Sequence, residues 1–484
     1  MRRTRIPALL LLIGLAGSGV AAPANPKAAP SAKKAAAVRA KAKAPVRSGR
    51  KPAPRSAVKT AAGGKAKPVA KPAPPPPSPA VKAIAVEIRA QASGAIGKVY
   101  AGRGYWPLWA ATGRIGREAD AFLAMLDSAG LDGLRPGSYG PAELRKTVAA
   151  AASGEAPAVA AAELALSRAY AGYVADVRRP PAVGMTYLDA ELKPRRLRAR
   201  DVLRQAAMPT DFAEYVASMG WMSPHYVRLR TLVGAAQAAG AERAVLDRLR
   251  LNLDRARLLP GPWVRHIVVD AASARLFYYQ GGKQQGTMRV VVGTPETPTP
   301  MLAGMVRYAI LNPYWNVPTD LVRSRIAPRI LAGKSLTALR FEALSDWSPS
   351  ATRLDPRTVD WNAVAAGERE VRLRQLPGGS NAMGKMKFMF PNDLGIYLHD
   401  TPDKALMAKP ARYFSNGCVR LEDAPKLGRW MFGKSLVAAA KRPEQDMALT
   451  DPVPVYLTYF TATSTEGGFS FLPDVYGRDG KTRS

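Results

Sequence analysis

The sequence predicts a multidomain α+β protein: a mainly helical N-terminal domain followed by a mainly antiparallel β domain that carries a helical insertion. Three observations predict it. Apolar residues recur with a helical period from about Val86 to Pro260, they form short β-type runs after Pro262, and no apolar period is present over 25–83. At 484 residues and 47% hydrophobic, the chain has material for about three domains of roughly 150 residues each.

The first segment is set apart by charge. Of a net charge of +34, residues 1–86 supply 18 Lys and Arg with no acid, and Glu87 is the first carboxylate. Arg2, Arg3 and Arg5 precede the apolar run Ile6–Ala22, and small residues follow up to Asn25. That order is the anatomy of a secretory signal, expected over 1–24. The run is short for a membrane span, which needs about 20 residues. Pro7 and three glycines weaken it further as a permanent helix, so cleavage between Ala21 and Asn25 is the expected outcome and an uncleaved membrane anchor the alternative. Residues 25–83 are Ala, Pro, Lys, Arg, Ser, Gly and Val without apolar period, a basic, extended linker. In a cytoplasmic protein it would read as a DNA arm. Behind an export signal no nucleic acid is expected, and the available polyanions are lipid headgroups and wall carboxylates; a plain solubilising linker accounts for it equally well.

The helices follow in order. Ala119–Leu126 runs into the Gly/Pro turn GLDGLRPGSYG, Ala158–Val177 is Ala/Leu-rich behind Pro157, and Arg178-Arg-Pro-Pro181 stops it. In Ala241–Leu259, Leu246, Leu249, Leu253 and Ala256 share one face with Arg and Asp opposite, and Pro260-Gly-Pro262 ends it. Strands are expected at Val264–Asp270, Ala274–Gln280 and Met288–Gly293, then a loop over Thr294–Pro300. Thr319–Arg340 reads as helical and interrupts them. Strands resume at Lys385–Phe390, Gly395–His399 and Val453–Phe460.

One Cys excludes a disulfide framework and any multi-thiolate metal site, and three scattered His give no metal centre. The Cys lies in Tyr413-Phe-Ser-Asn-Gly-Cys-Val-Arg-Leu421, a poor neighbourhood for a core thiol. His399 ends the strand-like GIYLH, 19 residues upstream. A thiol is mostly protonated at neutral pH and needs a base, which makes Cys418 a candidate nucleophile and His399 its general base and acid. Gly417 offers a backbone that tolerates positive φ, and the N–H groups of Gly417 and Cys418 could face a developing oxyanion. Tyr397 falls on the same side of its strand as His399, where lining the site and simple packing are both open.

His399 followed by Ser415-Asn416-Gly417-Cys418-Val419-Arg420 resembles the signature of the L,D-transpeptidases, whose catalytic domain is of the YkuD type. The likeness continues through NLDRARLLP, RHIVVDAASARLFYY, VVVGTPETPTP, ILNPYWNVP, NAMGKMKFMFPN, IYLHDTP, PVYLTYFTA and PDVYGRDG, over about 246–480. These segments look like the large periplasmic branch, and DSAGLDGLRPGSY looks like its peptidoglycan-binding-like module. The resemblance implies a peptidoglycan enzyme of cell-wall organisation and cell shape, in the periplasm or cell envelope, sensitive to carbapenems. Cys418 would attack a stem tetrapeptide as donor and release its terminal D-alanine. The side-chain amine of a diamino acid on a second stem would resolve the thioester into a 3–3 cross-link, without metal or organic cofactor. It also implies a turn formed by Ser415, Asn416 and Gly417, and Arg420 and Tyr397 in substrate binding; a loop ion pair for Arg420 is equally open. Many relatives carry a His where this chain has Asn416, so the group orienting His399 is expected to be a backbone carbonyl within 414–417 rather than Asp400.

The expected organisation is a signal at 1–24, a linker at 25–83, a helical scaffold with the peptidoglycan-binding-like module at 84–260, a YkuD-like catalytic domain at 261–480 with a capping insertion at about 318–376, and a tail at 481–484. Gly428–Ser435 satisfies P-loop spacing, but its bulky Trp430, Met431 and Phe432 argue against a phosphate cradle. His225 and His266 read as structural. Sortases also run His, Cys, Arg, but with a Thr-x-Thr-Cys motif and wider gaps; Cys/His amidases place Cys first. Two other functions fit part of the sequence: a non-catalytic peptidoglycan-binding envelope protein, and a cysteine hydrolase or D-amino-acid exchange enzyme using the same thioester.

Overall fold

The computed structural model describes residues 76–480 except Pro349. The expected signal, the linker as far as residue 75 and the tail at 481–484 lie outside the described residues. Where the linker was expected to run on to 83, a helix already begins at Pro79. The Ser78 hydroxyl caps it by accepting from Val81 N–H, and Pro79 takes the first-turn position that needs no N–H. Val81, Ile84 and Ile88 bury its inner face.

The helical part packs around Ala156–Val177, the longest helix, which is buried along much of its length. Arg243–Arg257 buries Leu249, Leu253 and Ala256 as the spacing predicts. Its Arg255 and Arg257 are also buried, against expectation. Each is covered because it bonds to a distant segment: Arg255 to the Asp479 carboxylate at 2.8 Å, Arg257 to the carbonyls of Val177 and Asp132 at 3.0 Å. Asp132, in the GLDGLRPGSY turn, accepts from the hydroxyls of Tyr173 (2.7 Å) and Tyr226 (2.8 Å) and from Arg230 (2.8 Å). A buried carboxylate needs that many donors to offset lost hydration.

The β domain closes on itself. In spatial order the strands Leu302–Leu311, Met386–Met389, Leu398–His399, Val419–Leu421, Lys283–Gly293, Arg275–Gln280, His266–Asp270 and Gln445–Thr458 form a ring, since the last also pairs with the first. Closure removes exposed edges. Six of the eight pairings are antiparallel; Leu398–His399 with Val419–Leu421 and Gln445–Thr458 with His266–Asp270 are parallel. Ile267, Val269, Leu276, Val290, Val292, Leu398, Val419 and Leu421 fill the ring's interior. Val268, Tyr279, Tyr456 and Phe460 point outward into the core of the helical part. His266–Asp270 is thus buried on both faces, which explains its unbroken apolar reading.

The insertion is helical over Thr319–Leu331 and continues in turns over 332–340, short of the expected helix end at Arg340, and it adds a four-stranded sheet with its own apolar core of Val322, Phe341, Leu373 and neighbours. The P-loop-like stretch is the last turn of helix Ala424–Phe432, capped by Gly433 at φ +68°. His225 stacks on Phe460 and His266 on Tyr279; burial pushes them down to about 3 and about 4, so both are neutral packing groups. No helix of the described residues is long and apolar enough to cross a membrane.

Candidate active site

The site is positioned by one parallel strand pair. Leu398 pairs with Val419 and His399 with Arg420, and Val419 N–H donates to Tyr397 carbonyl at 3.1 Å. Cys418 therefore lies across from Tyr397. Alternation turns Leu398, Val419 and Leu421 into the apolar interior, where each is fully buried. It sends Tyr397, His399, Cys418 and Arg420 to the other face, where the Tyr397 and His399 rings lie 5.7 Å apart.

The turn before the thiol requires glycine at 417. Its φ is +102°, and a Cβ there would stand 2.9 Å from Ile396 Cδ1. Ser415 is buried and closes the turn: its hydroxyl donates to Cys418 carbonyl at 2.5 Å and accepts from Gly417 N–H at 3.2 Å. The Gly417 amide, expected to face an oxyanion, is thus engaged inside the turn. Asn416 is exposed.

His399 is buried, and its Nδ1 lies 2.6 Å from the carbonyl oxygen of Asp400. The expected partner was a carbonyl within 414–417; it is a backbone carbonyl, but of Asp400. The chain leaves the strand at 400, so the Asp400 carbonyl turns back to the ring. The Asp400 side chain points elsewhere, to Lys385 N–H (2.9 Å) and Lys404 Nζ (2.7 Å). Because a carbonyl only accepts, the proton sits on Nδ1 and Nε2 keeps a free lone pair. Burial, then the Arg420 charge, push His399 down to about 3, so the ring is neutral at pH 7.

Cys418 is half-buried, and its thiol donates to Gly395 carbonyl at 3.4 Å. Burial pushes the thiol up to about 11 against the lowering effects of Tyr397 N–H, the Arg420 charge and the Tyr397 hydroxyl. Tyr397 is held well above its usual range by burial and by this same sulfur. The resting pair is therefore thiol and neutral imidazole, and proton transfer must accompany attack. Alkylation of Cys418 by iodoacetamide should be slow at pH 7, where about one thiol in ten thousand is ionised for such a value. The rate should climb about tenfold per pH unit to near pH 11. A plateau near pH 8.5 in a pH series followed by intact mass would contradict the shift.

Sequence reasoning missed the groups that brace the turn. Thr299, fully buried in the loop after Lys283–Gly293, donates to Gly417 carbonyl at 2.8 Å and accepts from Gly293 N–H at 2.9 Å. Thr294 N–H donates to Ser415 carbonyl at 3.0 Å. The C-terminal segment braces that loop in turn: Tyr476 donates to Gly293 carbonyl at 2.7 Å, and Arg478 to Thr299 carbonyl at 2.9 Å. Asp479 ties the segment to Arg248 (2.6 Å) and Arg255 (2.8 Å). The Thr/Pro alternation of 294–300 was the available signal, readable only as a loop. Thr299→Val keeps the shape and removes the hydroxyl. It should cost about 1–3 kcal/mol in urea unfolding. Turnover should fall about tenfold to a hundredfold, since a loosened turn misplaces the sulfur.

Residues 264–437 match the family described as the YkuD L,D-transpeptidase catalytic domain, and residues 94–232 the one described as a Scaffold domain. A Haemophilus influenzae protein named "Putative L,D-transpeptidase" is 30% identical over 246 residues, covering 49% of this chain and 49% of that protein. The chain thus spans about half the length of this curated relative. Two solved structures are more distant. An L,D-transpeptidase from Mycobacterium smegmatis has 14% identity over 40% of this chain and 58% of that one, at a TM-score of 0.20. An LD transpeptidase in complex with imipenem has 13% identity over the same shares, also at 0.20. The match places residues 264–437, the segment that holds Tyr397, His399 and Cys418, in the YkuD L,D-transpeptidase catalytic-domain family.

Proposed function

We propose that the protein is an exported peptidoglycan L,D-transpeptidase of the cell envelope that joins stem peptides by 3–3 cross-links through a thioester on Cys418. The observation that supports the reading is the face shared by Tyr397, His399 and Cys418: a thiol and a neutral imidazole on the same side of one strand pair, the tautomer set by the Asp400 carbonyl. In the first half-reaction Cys418 Sγ attacks the carbonyl of the L-centre of the donor's diamino acid while Nε2 of His399 takes the thiol proton. The C–N bond breaks, that proton passes to the leaving nitrogen, and D-alanine departs. In the second, the side-chain amine of another stem attacks the thioester, gives its proton to His399, and the thiol is restored. Tyr397 N–H and hydroxyl stabilise the sulfur when it carries charge.

A carbapenem would acylate the same sulfur. Tetrapeptide-rich sacculi incubated with the protein should yield 3–3 dimers with D-alanine release, and intact mass after imipenem should show one adduct per chain. Release without dimers would replace cross-linking by hydrolysis or exchange, and neither dimers, release nor adduct would leave a wall-binding role.

A further inference from the structure

Arg420 has the Asp403 charge near it but forms no ion pair with a described residue. It is part-buried, and among the described residues no carboxylate stands within ion-pair distance of it. It opens into a groove of about 470 Å³ between the catalytic domain and the insertion. Four arginines line that groove, Arg325, Arg329, Arg340 and Arg420, against one acid, Asp403. Arg340 is pinned to the Pro377 carbonyl at 2.7 Å. Arg325 and Arg329 are exposed and, like Arg420, form no ion pair with any described residue. They stand four residues apart on Thr319–Leu331, and Arg325 lies in its π turn, Val322–Ile326, a distortion that recurs at functional sites. Burial lowers Arg420, the nearby Asp403 charge opposes that, and the Arg325 charge adds to it. An uncompensated cationic cleft attracts anions, and planar guanidinium forks suit carboxylates. The chain's own N-terminal segment is no candidate, since residues 1–86 hold 18 cations and no acid.

We propose that this groove is a carboxylate-binding subsite in which Arg325 and Arg329 of the insertion join Arg420 to hold the free carboxylates of the peptide that Cys418 attacks. It rests on the transpeptidase reading above and deepens it by assigning the insertion a part in substrate choice. The site then selects stems whose internal carboxylates are free over stems in which they are amidated. Arg420 is the register partner of His399, so a carboxylate held there sits beside the reacting carbonyl, and the insertion arginines reach further along the peptide.

The test compares a tetrapeptide with free internal carboxylates and the same peptide amidated at those positions. Wild type should favour the free form by about 10- to 100-fold in kcat/KM, the range expected for charge-assisted contacts. The double substitution Arg325→Ala with Arg329→Ala should lose most of that preference through KM with kcat retained, and Arg→Lys at both should restore part of it. Calorimetric titration of both peptides into Cys418→Ala, with and without the two arginines, reads the groove independently of turnover. A charge preference in binding without D-alanine release in wild type would uphold the groove and overturn the transpeptidase reading. Equal treatment of the two peptides by wild type, or a preference untouched by the double substitution, overturns the groove and leaves the chemistry standing.

Discussion

Cys418→Ala is expected to abolish D-alanine release, dimer formation and the imipenem adduct together, a loss of about 10⁶ in turnover on the scale of nucleophile deletions. The substitution removes one sulfur atom and leaves the turn in place. Ser415 grips the 418 carbonyl rather than the side chain, Thr299 grips the 417 carbonyl, and Gly417 keeps its φ of +102°. What is lost is the long contact of the thiol to Gly395 carbonyl and the sulfur's weak contacts to the Tyr397 N–H and hydroxyl. Urea unfolding should therefore shift by less than about 1 kcal/mol, which separates chemical from structural loss. Adduct formation that survives in Cys418→Ala would remove this residue from the reaction.

His399→Gln should lower turnover by about 10²–10⁴, the usual contribution of a general base. Glutamine can still donate to Asp400 carbonyl, but it has no basic nitrogen to take the thiol proton. The loss should depend on pH in a stated direction. Because burial holds the thiol up to about 11, wild type relies on the imidazole at pH 7. His399, pushed down to about 3, stays unprotonated through the neutral range. The variant should recover as pH rises toward 11 and free thiolate forms without assistance. Acylation rates by carbapenem across pH 6–10, read by intact mass, should converge between the two proteins. A deficit constant with pH would show that His399 acts by shaping the site.

The legible and illegible parts of this chain divide by the distance over which residues act. The helices, the strand runs and the Cys-turn motif are local patterns: Pro79 behind Ser78, Leu249-Leu253-Ala256 on one face, Gly417 before Cys418. The linker's end was misjudged by a few residues because Val81 and Ile84 declare themselves only when they meet Ala156–Val177. Arg255 and Arg257 were placed with solvent because nothing nearby in the chain reveals Asp479 or the 132 turn.

Sequence alone determined the family resemblance and the fold class, and it singled out one Cys and one His as candidates, because each of these rests on residue type and short spacing. The tertiary structure decided which groups meet. Parallel register sets Cys418 against Tyr397 and His399 beside Arg420. The Asp400 carbonyl, not the turn at 414–417, chooses the imidazole tautomer. The Gly417 amide is engaged by Ser415, and Thr299, Tyr476 and Arg478 hold the loop from the other end of the domain. Burial and charge at a site come from segments far apart in sequence, so the electrostatics that make His399 neutral and Cys418 a thiol exist only once the ring has closed.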